Sequence, residues 1–286
     1  MGDDYELSPP ELTADRILTL TDPRFTDESV AIVTGAASGI GRATAVALAK
    51  NGLTVIATDM DEDGLAETVK IADQVGATGP IETADVNLTD DTAVEALVET
   101  AAELGQLRYV ANIAGLQHID PIEKFPMETY DLMQNVMVRA PFLLTKCSLP
   151  HIREADDGVG AIANMASVHG HVATQDKPVY IMTKFALRGL TQAIAAEGEG
   201  RVRSFSVSTA YVKTPLVTKQ VPDTARERGI SEREVVEDVM LGHSRVKEMM
   251  EPVDVANLFT FGFSQYGQHL DGGDLRWDGG MTHTYE

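Results

Sequence analysis

Five short apolar runs rich in β-branched residues recur along this chain: VAIVT (30–34), TVIAT (54–58), LRYVANIA (107–114), GAIANMAS (160–167) and VRSFSVS (202–208). Segments of helix length lie between them, such as RATAVALAKNG, GLAETVKIADQVG, DTAVEALVETAAELG and YIMTKFALRGLTQAIAAE. Strands that alternate with amphipathic helices pair in parallel through crossovers. The runs are apolar at successive positions, as required when helices cover both faces of a sheet. The expected fold class is therefore α/β, a doubly wound parallel sheet of Rossmann type in three α/β/α layers. No internal repeat and no linker interrupts residues 29–286, so one domain is expected there. Residues 1–28 are polar, carry paired prolines and hold one short possible helix at LTADRILTL; they are expected to be an extension outside the main fold.

Charge narrows the partners. Asp plus Glu number 44 against 23 Lys plus Arg, a formal net charge of -21. Such a surface repels nucleic acid and anionic membranes. It also repels itself unless salt shortens the Debye length, to about 3 Å at molar concentration. A salt-adapted cytoplasm is the preferred setting. The N-terminus has no apolar signal region and no stretch reaches the length of a membrane span. The single cysteine, Cys147, permits no internal disulfide or metal cluster, and its apolar FLLTKCSLP context suits a small core residue.

TGAASGIGRA (34–43) follows the first strand and opens a helix. Gly35 permits a tight turn, Gly39 lets the backbone approach a pyrophosphate and Gly41 allows close helix packing. The helix start then offers free N–H groups to phosphates, so Gly35, Ser38, Gly39, Ile40 and Gly41 are assigned to a dinucleotide. Asp59 ends the second strand, where a carboxylate accepts bonds from ribose hydroxyls and repels a 2′-phosphate. Neither Ser38 nor Met60 is basic, so the expected cofactor is NAD rather than NADP.

Together with that loop, ADV (84–86), NIAG (112–115), Ser167 followed by Tyr180 and Lys184, and DGG (278–280) resemble the short-chain dehydrogenase/reductase family. The resemblance covers roughly residues 29–281. It implies that Ser167, Tyr180 and Lys184 are catalytic. Oxidation of an alcohol needs its hydroxyl proton removed, and a tyrosine with pKa near ~10 is a poor base at neutral pH. A nearby Lys184 ammonium and a positive nicotinamide would favour the phenolate and bring that pKa toward the working range. Ser167 would donate to the developing carbonyl, and Lys184 would also hold the nicotinamide ribose. The resemblance places Asp85, Val86, Asn112, Ala114 and Gly115 against the cofactor, with Val212 and Thr214 at its carboxamide.

NIAGLQHIDPIEKFP (112–126), MASVHGHVATQDKPVY (165–180) and YVKTPLVTKQV (211–221) resemble, more narrowly, the D-3-hydroxybutyrate dehydrogenase branch of that family. This implies a substrate pocket of Gln117, His169, Lys177 and Gln220 beside Ser167, Tyr180 and Tyr211. One cation with neutral donors suits a small carboxylate. Taken singly, His169, Gln117, Gln220 and Lys177 have ordinary surface or turn roles. The charged, helix-rich segment at 213–251 resembles a substrate lid. A homotetramer built through the helix carrying Tyr180 and the helix before it is also implied.

Three departures from the family's pattern matter. The family's asparagine, which supports a water linking the catalytic lysine to solvent, is replaced by Met137. Asn135 lies roughly 200° away around a regular helix and could substitute only through a bulge. Thr209-Ala210 stands where Pro-Gly is usual, and the helix after Lys184 ends early in AAEGEGRVR. The chain is therefore expected to interconvert D-3-hydroxybutyrate and acetoacetate with NAD, with slowed proton relay. Another small hydroxy acid or polyol as substrate, or a non-catalytic NAD-binding homologue, remain as alternatives.

Overall fold

The computed structural model describes residues 7–284, apart from the side chains of Asp223 and Glu227; the first six residues of the predicted extension lie outside it. A seven-stranded parallel sheet in the order β3-β2-β1-β4-β5-β6-β7 forms the middle layer. Its strands are β1 Ser29–Thr34, β2 Thr54–Asp59, β3 Ile81–Asp85, β4 Gln106–Asn112, β5 Gly160–Met165, β6 Val202–Thr209 and β7 Gly273–Trp277. Helices α1 Gly39–Lys50, α2 Glu62–Gln74, α3 Asp91–Leu104, α4 Met127–Gln134, α5 Ala140–Glu154 and α6 Pro178–Glu197 supply the crossovers. The lid holds α7 Pro215–Thr218, α8 Gln220–Arg228 and α9 Glu232–Glu234, and α10 Pro252–Phe263 returns the chain to β7.

Every residue of β1, β5 and β6 is buried, which explains their unbroken apolar or small-residue runs. The two strands that sequence pattern does not reveal, β3 and β7, are the sheet's edges. Their sequences, IETAD and GDLRW, are polar and only partly buried because solvent or a loop covers one side. The two apolar runs LRYVANIA and GAIANMAS also overshoot their strands. After Asn112 the chain leaves the sheet, and the N–H groups of Ile113 and Ala114 donate to Thr34 Oγ1 at 2.9 and 3.0 Å.

LTADRILTL forms a 3₁₀ turn at Ala14–Arg16, not a regular helix. Residues on either side are claimed by the domain. Leu18 N–H donates to Asn257 Oδ1 at 2.8 Å, and Asn51 Nδ2 donates to Leu18 O at 2.8 Å. Ile17 is buried in a cluster with Val46 and Ala47 of α1 and Ala256 of α10. Among its described residues the extension adds no strand, yet this stretch is bonded to the domain as a strap.

The lid closes on itself. Val221, Ala225, Val235, Val236, Met240, Leu241 and Met249 form its own buried cluster. Its two ends meet at the domain surface, where Lys213 N–H donates to Met250 O at 2.8 Å and Met250 N–H to Tyr211 O at 3.1 Å. This arrangement gives the segment a narrow, paired base above the carboxyl ends of the strands.

Candidate active site

The sheet order reverses between β1 and β4, and the crevice beyond their carboxyl ends is where such folds bind ligands. Here it is a cavity of about 690 Å³. The glycine loop forms one wall. Gly35 has φ 70, a conformation that favours glycine, and a Cβ there would stand 2.9 Å from Ala114 Cα. A Cβ on Gly41 would lie 2.1 Å from Gly35 O, so no larger residue fits beneath the loop. Ser38 precedes α1 without capping it through its side chain, which leaves the first N–H groups of the helix for a ligand.

Asp59 lies at the far end of the loop. Its Oδ2 accepts the Ala37 N–H at 3.1 Å and its Oδ1 accepts the Met60 N–H at 2.8 Å. The carboxylate is thus fixed against the glycine loop, and Asp59 lines the cavity with Met60. Gly35, Ser38, Gly39, Ile40, Gly41, Val86, Ala114, Gly115, Val212 and Thr214 line it as well. Residues with these properties fit a dinucleotide: a cradle without side chains for phosphates, a fixed acceptor for ribose hydroxyls, and an apolar floor.

Two expected cofactor residues do not line this cavity. Asp85 is exposed and borders a separate surface hollow with Glu62 and Leu65. Successive side chains leave a strand end on opposite sides, so Val86 faces the cavity and Asp85 does not. Asn112 is buried, and its Nδ2 donates to Asn164 Oδ1 at 2.9 Å. Asn164 Nδ2 in turn donates to Thr191 Oγ1 at 2.9 Å. Asn112 therefore ties β4 to β5 and α6 behind the cavity rather than lining it.

Ser167, Tyr180 and Lys184 meet at the other end of the same cavity. Ser167 comes from the turn after β5, while Tyr180 and Lys184 share a face of α6 one turn apart. Lys184 Nζ stands 5.2 Å from the Tyr180 ring centroid and donates to Met165 O at 2.7 Å. Burial pushes the Tyr180 phenol up to about 12, against a lowering from its hydrogen bond to Ser167. Burial likewise brings Lys184 down to about 8. The lowering of the phenol expected from the Lys184 ammonium does not show among its causes; desolvation leads, and the one lowering comes from Ser167.

His169 Nδ1 lies 3.4 Å from Ser167 Oγ, and its ring meets Tyr180 edge-on at 5.8 Å. Burial, then the charges of Lys177 and Lys184, lower its pKa to about 4, so this imidazole is neutral at working pH. Lys177 Nζ sits 5.9 Å above the Tyr211 ring and, among the described residues, has no hydrogen-bonding or acidic partner. Its pKa is lowered by burial. Gln117 Oε1 accepts from Gln220 Nε2 at 3.5 Å, while Gln117 Nε2 is buried without a partner. Gln117 and Gln220 line a second hollow of about 730 Å³, which shares Ser38, Gly115, Pro215 and Leu216 with the first.

Several participants lie within the quoted stretches without having been assigned a role. Thr34 Oγ1 stitches the glycine loop to the 113–114 turn. His118 Nε2 and Asp120 Oδ2, 2.9 Å apart, border the second hollow. Thr209 and Ala210, which replace the usual Pro-Gly, line the cavity beside Val212. The helix before α5 does bulge, as a π turn at Asn135–Arg139. Even so, the buried Met137 is the residue that flanks Lys184: a Cβ on Gly115 would stand 3.5 Å from Met137 Sδ and 3.9 Å from Lys184 Nζ. Cys147 is half-buried with its thiol pushed up by burial, which suits a packing residue.

Family comparison agrees with this geometry. The family described as short chain dehydrogenase matches residues 29–225. The chain belongs to the short-chain dehydrogenase family. It is 33% identical over 256 residues to a D-beta-hydroxybutyrate dehydrogenase of Rhizobium meliloti, covering 88% of this chain and 98% of that one. It is also 32% identical over 259 residues to a D-threitol dehydrogenase of Mycolicibacterium smegmatis, covering 90% and 94%. Among solved structures, levodione reductase superposes with TM-score 0.84 at 28% identity over 92% of this chain and all of that one. L-sorbose reductase of Gluconobacter frateurii, complexed with NADPH and L-sorbose, gives TM-score 0.82 at 26% identity over 90% and 97%. This short-chain dehydrogenase is an oxidoreductase with a nicotinamide cofactor.

Proposed function

We propose that this short-chain dehydrogenase uses NAD to interconvert D-3-hydroxybutyrate and acetoacetate. One observation carries the substrate class: among the described residues two donors have no hydrogen-bond partner, Lys177 Nζ, whose charge reaches His169 beside Ser167, and Gln117 Nε2, in the hollow that adjoins the catalytic cavity. A half-buried ammonium and a buried amide N–H without acceptors are costly in the free protein and are satisfied together by a carboxylate. The neutral His169 adds no competing charge. Anchored there, the acid would turn its C3 hydroxyl toward the Tyr180 phenol, with Ser167 donating to the same oxygen.

In this scheme Tyr180 removes the hydroxyl proton, and Lys184, held by Met165 O, stands where it stabilises the phenolate. A nicotinamide bound in the cavity would supply the hydride acceptor. Val212 and Thr214 border that end of the cavity, and the lid residues Leu216 and Val217 cover it from water. The fixed Asp59 carboxylate and the non-basic Ser38 and Met60 favour NAD over NADP. The D-beta-hydroxybutyrate dehydrogenase relative supports the substrate, and the D-threitol dehydrogenase relative keeps a neutral polyol as the second reading.

Self-association fits the surface. Phe142 of α5 and Met182 and Phe185 of α6 are at least 46% exposed, and Phe142 lines a hollow of about 260 Å³ with Ala186, Leu190 and Ala193 of α6. A homotetramer covering this face, in a salt-rich cytoplasm, is the proposed state. Purified protein mixed with NAD and either enantiomer of 3-hydroxybutyrate in molar potassium chloride, followed by NADH absorbance, tests the function. Turnover with the D form alone supports it. Turnover with threitol but with neither enantiomer replaces it by the polyol reading.

A further inference from the structure

The turn that carries Ser167 and His169 continues through Gly170 to His171, a residue with no part in the chemistry above. His171 is held on both ring nitrogens. Its Nε2 lies 2.9 Å from Asp274 Oδ2 and 3.2 Å from Ser208 Oγ, and Arg276 NH2 lies 2.8 Å from its Nδ1. A guanidinium can only donate, so Nδ1 must accept, and the proton resides on Nε2. The imidazole is therefore neutral, donating toward Asp274 while accepting from Arg276.

Asp274 is in turn saturated. Its Oδ1 accepts from Ser206 Oγ at 2.6 Å and from Ser208 Oγ at 2.8 Å. These contacts span β5's exit turn, β6 and β7, and the side chains of His171 and Asp274 are only 7% and 12% exposed. A second anchor reaches the same turn from α6, where Arg188 NH1 donates to Gly170 O at 2.7 Å. On the outer side Arg276 contacts His283 of the C-terminal tail.

We propose that His171, Asp274 and Arg276 form a positioning network that clamps the Ser167–Gly170 turn onto β6 and β7 and so holds Ser167 in register with the Tyr180 phenol. The groups that face His171 make it sensitive to protonation. Arg276 on β7 and Arg188 on α6 oppose a second positive charge, Asp274 favours it, and Ser208 is neutral; His169 lies on the same turn and His283 on the far side of Arg276. Burial leads these effects, and the His171 pKa is lowered from its ordinary value. The sign follows: the clamp is complete above the unfolded value of about 6.5 and is released as pH falls through the lowered folded value. A protonated Nδ1 would lose the Arg276 bond and face its charge.

The inference needs the family's dehydrogenase chemistry but not the hydroxybutyrate assignment; any alcohol that turns over serves. His171→Leu removes both bonds, whereas His171→Gln keeps one donor and one acceptor. The expected result is a kcat lowered about 10- to 100-fold in His171→Leu with cofactor affinity unchanged, and largely recovered in His171→Gln. The acid limb of the kcat profile should be steeper in the wild type than in His171→Gln. Asp274→Asn, nearly isosteric, gives the same reading if His171→Leu does not fold. Nitrogen-15 NMR of the intact protein checks the tautomer without any substrate. Wild-type kcat and pH profile in His171→Leu, or an imidazolium at neutral pH, would overturn the proposal.

Discussion

Lys184 Nζ stands 5.2 Å from the ring of Tyr180, and burial drives the two groups in opposite directions, the phenol up to about 12 and the ammonium down to about 8. A phenol raised that far is a poor base until a second positive charge joins Lys184 beside it, which a bound oxidised nicotinamide would supply. Alcohol oxidation, which needs the phenolate, should therefore accelerate as pH rises. Ketone reduction, which needs the phenol, should slow over the same range. Initial rates in both directions between pH 6 and 10 check this, and parallel profiles would remove Tyr180 from the role of base. Tyr180→Phe should lower kcat by about 10²- to 10⁴-fold.

Lys177 separates a carboxylate from a neutral substrate. Losing a charge-assisted hydrogen bond costs about 1.5–3 kcal/mol. Lys177→Ala should thus reduce kcat/KM for 3-hydroxybutyrate about 10- to 100-fold and leave any activity on threitol within about twofold. Equal losses on both substrates would assign Lys177 to holding α6 rather than the acid.

Met137 fills the place beside Lys184 where a relay residue is expected, with Sδ 4.0 Å from Thr183 Oγ1. A thioether offers only a weak acceptor and no donor. Met137→Asn should raise kcat several-fold where proton release limits turnover, and a solvent deuterium isotope effect should shrink with it. Burying an amide there also costs stability, so the comparison is made on folded protein. An unchanged kcat would show that protons leave the site without help from this position.

The central strands, the glycine loop and the Ser167-Tyr180-Lys184 set were legible because each is written in contiguous, strongly patterned sequence. What escaped was decided by neighbours distant in sequence. β3 and β7 lack an apolar run because they are edges. Asp85 and Asn112 match a motif, yet their side chains leave the cavity, the first by strand alternation and the second by its bond to Asn164. His171, Asp274 and Arg276 lie up to 105 positions apart, so no local spacing announces them.

The strap formed by residues near Ile17 is a case in point, since its composition reads as solvent-exposed chain while the side chain is 5% exposed. Removing a buried isoleucine to alanine costs about 2–5 kcal/mol when the site cannot collapse. Ile17→Ala should therefore lower denaturation stability by at least about 2 kcal/mol with kcat nearly unchanged. A loss below about 0.5 kcal/mol would mean that the strap contributes little to the fold.

Salt should act on the whole surface. Among the described residues only Asp22 and Asp278 of the acids are buried, so nearly all of the excess negative charge faces solvent. At low ionic strength these carboxylates repel over about 10 Å, and at molar salt over about 3 Å. Repulsion is stronger in the compact state than in the extended chain, so screening favours folding. Thermal unfolding in potassium chloride from 0.1 to 2 M should show the midpoint rising by about 5 °C or more, corresponding to about 3 kcal/mol at this chain length. Sodium chloride should give nearly the same curve, because screening depends on ionic strength. A midpoint that stays flat would mean that the acidic surface is not a destabilising load, and a rise specific to one cation would point to site binding in place of screening.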